Sequence, residues 1–437
     1  METRRCGRLP ILADGIQEVA QIADTPAVAL ARVDDASKQP RRIAVSRGGG
    51  VAPLAAIDVN QWRALAGRAI EPNGYYLPGW ALAVNAFASG RTDVSTLVAR
   101  DRHSQNGNAR LIGLMPFVPM ARAYKIPLPA FVSAEPYGTL CTPLLDPEMA
   151  HDAARELMRH ARDGGAHALV LHDVSLDGAV MRAFSEVLRQ ERLRWRVLNS
   201  HLRACLDATR ECDDMLREAL GAKKLKELRR QRHRLAEHGA VSFEVARTAD
   251  EVATALESFL SLEASGWKGM CRTALIQDEG DARFIRRAAP ALAEHGQCEV
   301  VTLTAGNTAI AAGIVLRHQE RAFYFKLGID ERFAKFSPGV QLTLDLTRHL
   351  CDDPAIATAD STASADHPMI NPIWRGRFAI GDVLIPLRRN DPMVWLIQAA
   401  MIIRGAIRVI ARRAIHLVPG KHRPPLNTTW SIRPPAH

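Results

Sequence analysis

The chain has 437 residues, 47% of them apolar and 24% charged, and a formal net charge of +10. That length suits two or three domains with sizeable cores, and that apolar share excludes a disordered chain. Seven scattered cysteines without a CxxC, and fifteen histidines without an HExxH, exclude a disulfide framework and a zinc site and point to a reducing compartment.

In chain order, METRRCGRLPILADG lacks the uninterrupted apolar core of a signal peptide, and residues 1–24 read as a tail. Gly48-Gly49-Gly50 is a turn with no phosphate-loop spacing around it. A helical pattern over 79–89 precedes two strands, 94–100 and 109–119, joined by a polar turn that holds Gly107-Asn108. Residues 137–146 read as a loop and 168–172 as a buried strand. Leu216, Leu220, Leu228 and Leu235 then recur at helical spacing, with Gly239 as the C-cap and a strand over 241–245. Helical patterns over 251–263 and 281–295 lead to strands 298–303 and 309–317 across Gly306-Asn307, and to a third strand over 322–327. Helix followed by hairpin occurs in both halves, so the chain reads as a diverged repeat. The expected class is α+β, with two tandem units, each a mixed, mostly antiparallel sheet flanked by helices. The expected parts are a tail (1–24), a first unit (25–205), a second unit (206–390) and a basic C-terminal segment (391–437).

The excess charge is local. Residues 223–234 carry seven Lys/Arg against Glu227, and residues 391–437 carry seven against Asp391. No aromatics interleave with the first cluster, so no stacking platform for nucleic acid is present and a nucleic-acid partner is not expected. In the second, Arg404, Arg408 and Arg412 stand four apart among Ile403, Ile407, Ile410 and Ile415. That helix suits either an anionic membrane surface or the protein's own core. No stretch has the roughly 20 apolar residues that a membrane span needs.

The most informative stretch is residues 324–342, YFKLGIDERFAKFSPGVQL. Alternation places Ala322, Tyr324 and Lys326 on one strand face and Phe323, Phe325 and Leu327 on the other. Ser337 can cap the following helix, and Pro338 suits its first turn. A strand, a turn and a helix start make an anion-binding corner, because free N–H groups and the helix dipole converge there. Arg332 and Lys335 add positive charge, and a pyrophosphate-bearing cofactor fits such a corner.

This corner resembles the acyl-CoA pyrophosphate loop of the GNAT acetyltransferases. Taken with Leu262-Glu263, Ser265-Gly266-Trp267-Lys268-Gly269, Thr273-Ala274-Leu275, Asp330, Asp360 and Trp374, residues 200–388 are similar to the catalytic half of the CelD-type acetyltransferases of cellulose and exopolysaccharide synthesis. The resemblance implies acetyl-CoA or another acyl-CoA as co-substrate, no metal, and direct transfer to a hydroxyl or amine of a sugar or polysaccharide precursor. It also implies a cytoplasmic protein, peripheral to the inner membrane if the C-terminal helix docks there. Arg332, Lys335, Phe336, Ser337, Pro338, Gly339 and Val340 would contact the cofactor. Glu263, Tyr324 and Asp330 would be the catalytic candidates, with Glu263 as base and Tyr324 as acid. Trp267, Lys268, Lys326, Asp360 and Trp374 would face the acceptor. Read from the residues alone, Tyr324 is equally a half-buried strand aromatic, Glu263 a capping glutamate, and the stretch between Asp360 and Trp374 a solvated loop. Two other functions stay open: a Fem-like aminoacyl or peptidyl transferase, and a non-catalytic accessory protein of a polysaccharide synthesis complex.

Overall fold

The computed structural model describes residues 50–101, 109–266 and 273–417. The 1–24 tail, the start of the first unit to residue 49, the Gly107-Asn108 turn, and Trp267 and Lys268 lie outside the described residues.

The first half runs β1 (Val51–Pro53), α1 (Val59–Gly67), α2 (Pro78–Phe87), β2 (Ser95–Arg100), β3 (Leu111–Pro119), α3 (Met120–Tyr124), β4 (Ala130–Ser133), β5 (Leu144–Leu145), α4 (Ala150–Asp163), β6 (Ala168–Ser175), α5 (Ala179–Gln190) and β7 (Arg196–Asp207). The second runs α6 (Cys212–Leu235), β8 (Val241–Ala246), α7 (Ala249–Ser265), α8 (Glu279–Ala293), β9 (Cys298–Ala305), β10 (Thr308–His318), β11 (Arg321–Ile329), α9 (Pro338–Cys351), β12 (Thr358–Asp360), β13 (Gly376–Pro386) and α10 (Pro392–Leu417).

The described residues form one 13-stranded sheet in the order β1-β2-β3-β4-β6-β13-β7-β12-β11-β10-β9-β8, with β5 against β3. Each half therefore ends on a strand laid into the other. β7, from the first half, pairs with β12, and β13, from the second, pairs with β6. The long antiparallel β7–β13 ladder, Gly376↔Cys205 to Leu384↔Arg196, closes the seam. Leu216, Leu220, Leu228 and Leu235, expected on one helix, lie in α6, which Gly221 (φ 73°, ψ 158°) breaks. Glycine alone takes that backbone without steric cost.

Local signals set the helix ends. Thr248 and Glu251 form a complete capping box on α7. Gly306 (φ 57°) makes the two-residue β9–β10 turn. One apolar core lies on one face of the sheet in both halves, and a separate cluster under α10 covers the β4–β6–β13 part of that face. Trp80 of α2 lies edge-to-face on Phe284 of α8 and on Phe325 of β11, each at 4.9 Å between ring centroids. On the opposite face α4 and α5 cover the first half and α6 and α9 the second.

Most of the strand and helix expectations hold, and two details do not. In the β10–β11 ladder Ile314 faces Lys326 and Val315 faces Tyr324, so Phe325 is an extra residue, a bulge. The bulge interrupts the alternation. Tyr324 and Leu327 face α9, whereas Phe325 and Lys326 both face α7. Ser337 does not cap α9 through its side chain, because it sits in the left-handed region (φ 54°, ψ 54°) and makes no capping bond.

Candidate active site

Strand β12 pairs in parallel with β11 only from Arg321↔Thr358 to Phe323↔Asp360. β11 continues to Ile329 while the segment after β12 turns away through Thr362, whose hydroxyl donates to the Tyr324 carbonyl at 2.6 Å. From the bulge onward no described strand pairs with this edge of β11. The turn Glu331–Phe336 and the start of α9 follow directly. Gly339 lets α9 approach this strand: a Cβ there would lie 3.0 Å from Leu327 Cδ2 and 3.3 Å from Met369 Sδ. Pro338 at the first helical position has no N–H to satisfy, and the first-turn amides of Gly339 and Val340 follow that edge.

The charged residues of this turn are arranged differently from a simple basic loop. Asp330 caps the turn, accepting from the Arg332 amide at 3.0 Å, and also binds the Arg332 guanidinium at 2.7 Å. The hydrogen bonds from Arg332 hold the Asp330 carboxyl below the usual carboxylate range. Arg332 itself is solvent-exposed, and Lys335 lies exposed with Nζ 4.7 Å from the centroid of the Phe336 ring. Phe336, Pro338 and Val340 are buried in the core beneath.

On the α7 face of the bulge lies a buried ion pair. Lys326 Nζ donates to Glu263 Oε1 at 3.1 Å, and the two side chains are 2% and 0% exposed. Glu263 Oε2 accepts from the Leu275 amide at 2.8 Å. The last turn of α7 can cross β11 this closely because residue 328 is glycine, where a Cβ would meet the Glu263 nitrogen at 3.0 Å.

Three residues that sequence reasoning missed stand beside the pair. The Tyr137 hydroxyl donates to Asp281 Oδ2 at 2.6 Å. Its ring has the Arg91 guanidinium 4.5 Å from the centroid and Lys326 Nζ at 5.9 Å. Arg91 is in turn paired with Glu135 at 2.9 Å. Burial raises the Asp281 carboxyl despite the Tyr137 bond, and burial, then Asp281, raises the Tyr137 phenol. Tyr137 comes from the first half and Asp281 from the second, so no single motif announces them.

Asp360 and Trp374 are placed otherwise than on an open acceptor surface. Asp360 is buried at the seam, where Arg203 Nη1 donates to its Oδ2 at 3.3 Å and to the Thr139 carbonyl at 2.8 Å. Asp173 lies 3.6 Å from Arg203, and burial, outweighing that guanidinium, pushes its carboxyl up to about 6. Its neighbour Asp382 also suffers burial, yet His172, 3.0 Å away, holds it low. Tyr137, Asp173 and Thr362, three non-glycine residues with positive φ (56°, 42° and 53°), meet around this seam. Such backbone costs of order 1–3 kcal/mol each and persists where the surroundings over-determine it. Trp374 is wholly buried, its indole N–H donating to Thr347 at 2.9 Å, so it is a core residue under α9.

Tyr324 is corrected in the same sense. It packs in the α9-side core, its ring 6.2 Å from Trp374, and burial raises its phenol well above the ordinary range. Its hydroxyl lies beside Thr343, whose own proton goes to the Gly339 carbonyl, and makes no hydrogen bond of adequate geometry among the described residues.

Residues 222–367 match the family described as the acetyltransferase (GNAT) domain. That segment of the second half is thus similar to GNAT domains, which use an acyl-CoA, and the match supports an acyltransferase. The crystal structure of FemX superposes with a TM-score of 0.52 at 11% identity, over 78% of this chain and 98% of FemX. That likeness shows a shared fold through both halves. L-PGS from Bacillus licheniformis gives 0.43 at 11% identity over 80% and 98% of the two chains. A tandem GNAT protein from the clavulanic acid biosynthesis pathway gives 0.38 at 15% identity over 78% and 99%. No curated protein matches the chain.

Proposed function

We propose that this protein transfers an acyl group, most simply acetyl, from acyl-CoA directly to a hydroxyl or amine of a sugar or exopolysaccharide precursor. The observation that carries the donor side is the edge of β11 that no described strand pairs beyond Phe323, followed by the start of α9. Backbone amides of a splayed strand beside a bulge suit the oxyanion that forms when the thioester carbonyl is attacked. The first-turn amides of α9, with Arg332 and Lys335 exposed nearby, suit a pyrophosphate.

The acceptor's lone pair adds to the thioester carbon, and the C–S bond then breaks. The acceptor gives up one proton, and CoA leaves as a thiolate that takes one up. Glu263 is the proposed proton acceptor, with Lys326 fixing its orientation. Tyr137, Asp281 and Arg91, an aromatic face ringed by charged hydrogen-bonding groups, form the proposed acceptor side, which suits a polyhydroxylated ring.

Calorimetric titration with acetyl-CoA and CoA tests the donor site. Binding should be lost in Gly339→Glu, which places a carboxylate at the phosphate corner and a side chain against Leu327. A folded wild type that binds no acyl-CoA would overturn the proposal and favour a non-catalytic accessory protein. Glu263→Gln should bind acyl-CoA normally and lose turnover.

A further inference from the structure

Helix α10 is apolar on two opposite sides. Val394 and Ile397 are buried against Met120, Val132, Val170 and Leu384. On the opposite side Trp395, Leu396, Ile402, Ile403, Ile407 and Ile410 are between 54% and 65% exposed. Their spacing makes one stripe along about four helical turns, facing away from the body of the protein except where the Arg196 guanidinium lies 4.2 Å from the centroid of the Trp395 ring. Arg404 does not interrupt the stripe, because its guanidinium lies over the Tyr124 ring, 4.3 Å from the centroid, on the protein-facing side.

The charge of this helix is one-signed. From residue 392 to 417 the chain has four Arg and no Lys, Asp or Glu. A second copy of the same helix would bring like charge against like charge, whereas an anionic surface would neutralise it. An apolar helical stripe on a basic segment is the pattern that lies in the interface of an anionic bilayer. Among the described residues no helix is long and apolar enough to cross a membrane. We infer that α10 docks the protein, stripe downward, on an anionic lipid bilayer without spanning it. This goes beyond the acyl-transfer reading and does not depend on it.

The test uses the full chain with vesicles of phosphatidylcholine alone or with phosphatidylglycerol added. The protein should sediment with the anionic vesicles and remain in solution with the neutral ones. Its tryptophan emission should shift to the blue on binding, and Trp395→Phe should remove most of that shift. Ile403→Asp with Ile407→Asp should weaken partition roughly a hundredfold, at about tenfold per isoleucine kept out of lipid. Both side chains face solvent, so the thermal unfolding of the double variant should match wild type. A folded wild type that stays in the supernatant would overturn the inference, as would equal binding to both vesicle types or an unaffected double variant. A wild-type dimer in light scattering that the double variant splits would assign the stripe to a second copy instead.

Discussion

Replacing Lys326 with methionine removes the cation of a pair that water does not reach. Both side chains are at most 2% exposed, so solvent does not soften the loss. Methionine fills the space of the aliphatic stem, which isolates the charge effect from a cavity effect. Glu263 keeps its other partners, the Leu275 amide among them, but loses Lys326. Breaking a buried pair from one side costs about 3–5 kcal/mol, and the partners that Glu263 keeps put the loss at the lower end. Replacing both partners by neutral groups costs much less by the same argument. Glu263→Gln retains an acceptor for the Leu275 amide, so Glu263→Gln with Lys326→Met should recover at least half of the single-variant loss. Urea unfolding followed by fluorescence reads both values, provided the m-value is unchanged. The cycle should give a coupling of about 2 kcal/mol or more, within the range seen for residues in contact. Lys326→Met within about 0.5 kcal/mol of wild type, the range of ordinary surface substitutions, would refute the reasoning and mean that the pair is hydrated.

Three further outcomes follow from the geometry. Glu299 is buried, which alone would raise its carboxyl, but His349 at 2.8 Å and Arg317 outweigh burial and hold it at about 2. Its folded value is below its unfolded one, so its contribution of about 3 kcal/mol is present above pH ~4.5 and is lost as pH falls toward 2; Glu299→Gln should flatten that acid limb in stability measurements. Tyr324→Phe removes a buried hydroxyl without a good partner, so stability should hold or rise by up to about 1 kcal/mol, with turnover unchanged; a turnover collapse would return Tyr324 to the chemistry. Gly313→Ala would set a Cβ 2.8 Å from the Tyr324 ring, and the overpacking should cost about 1–3 kcal/mol in chemical unfolding.

The two antiparallel strand pairs, the helices before them, the Gly306-Asn307 turn and the 337–339 corner were legible because each rests on local pattern: alternation, a Gly/Asn turn, a Pro at a helix start. The bulge at Phe325 was not, since one extra residue leaves no mark in AFYFKL yet moves Lys326 from beside Tyr324 to beside Glu263. Nor could spacing reveal that residues 196–207 leave the first half's sheet, or that Tyr137 would meet Asp281, 144 residues away. Glu263 was visible as a site candidate; its partner was named, but on the other side of the strand. Asp360 and Trp374 stood out for their residue types, and spacing does not tell that Arg203 would hold the first at the seam or Thr347 the second under α9.

The crossing of β7 and β13 means that sequence halves are not separable pieces. A break in the backbone near Arg210, between β7 and α6, would leave two fragments, each of which ends in a strand that belongs between strands of the other. Neither fragment alone completes its sheet, because each would expose an unpaired edge where the exchanged strand should lie. Produced together, they have the means to clasp and rebuild the whole, so the molecule behaves as a hook-and-eye rather than as beads on a string.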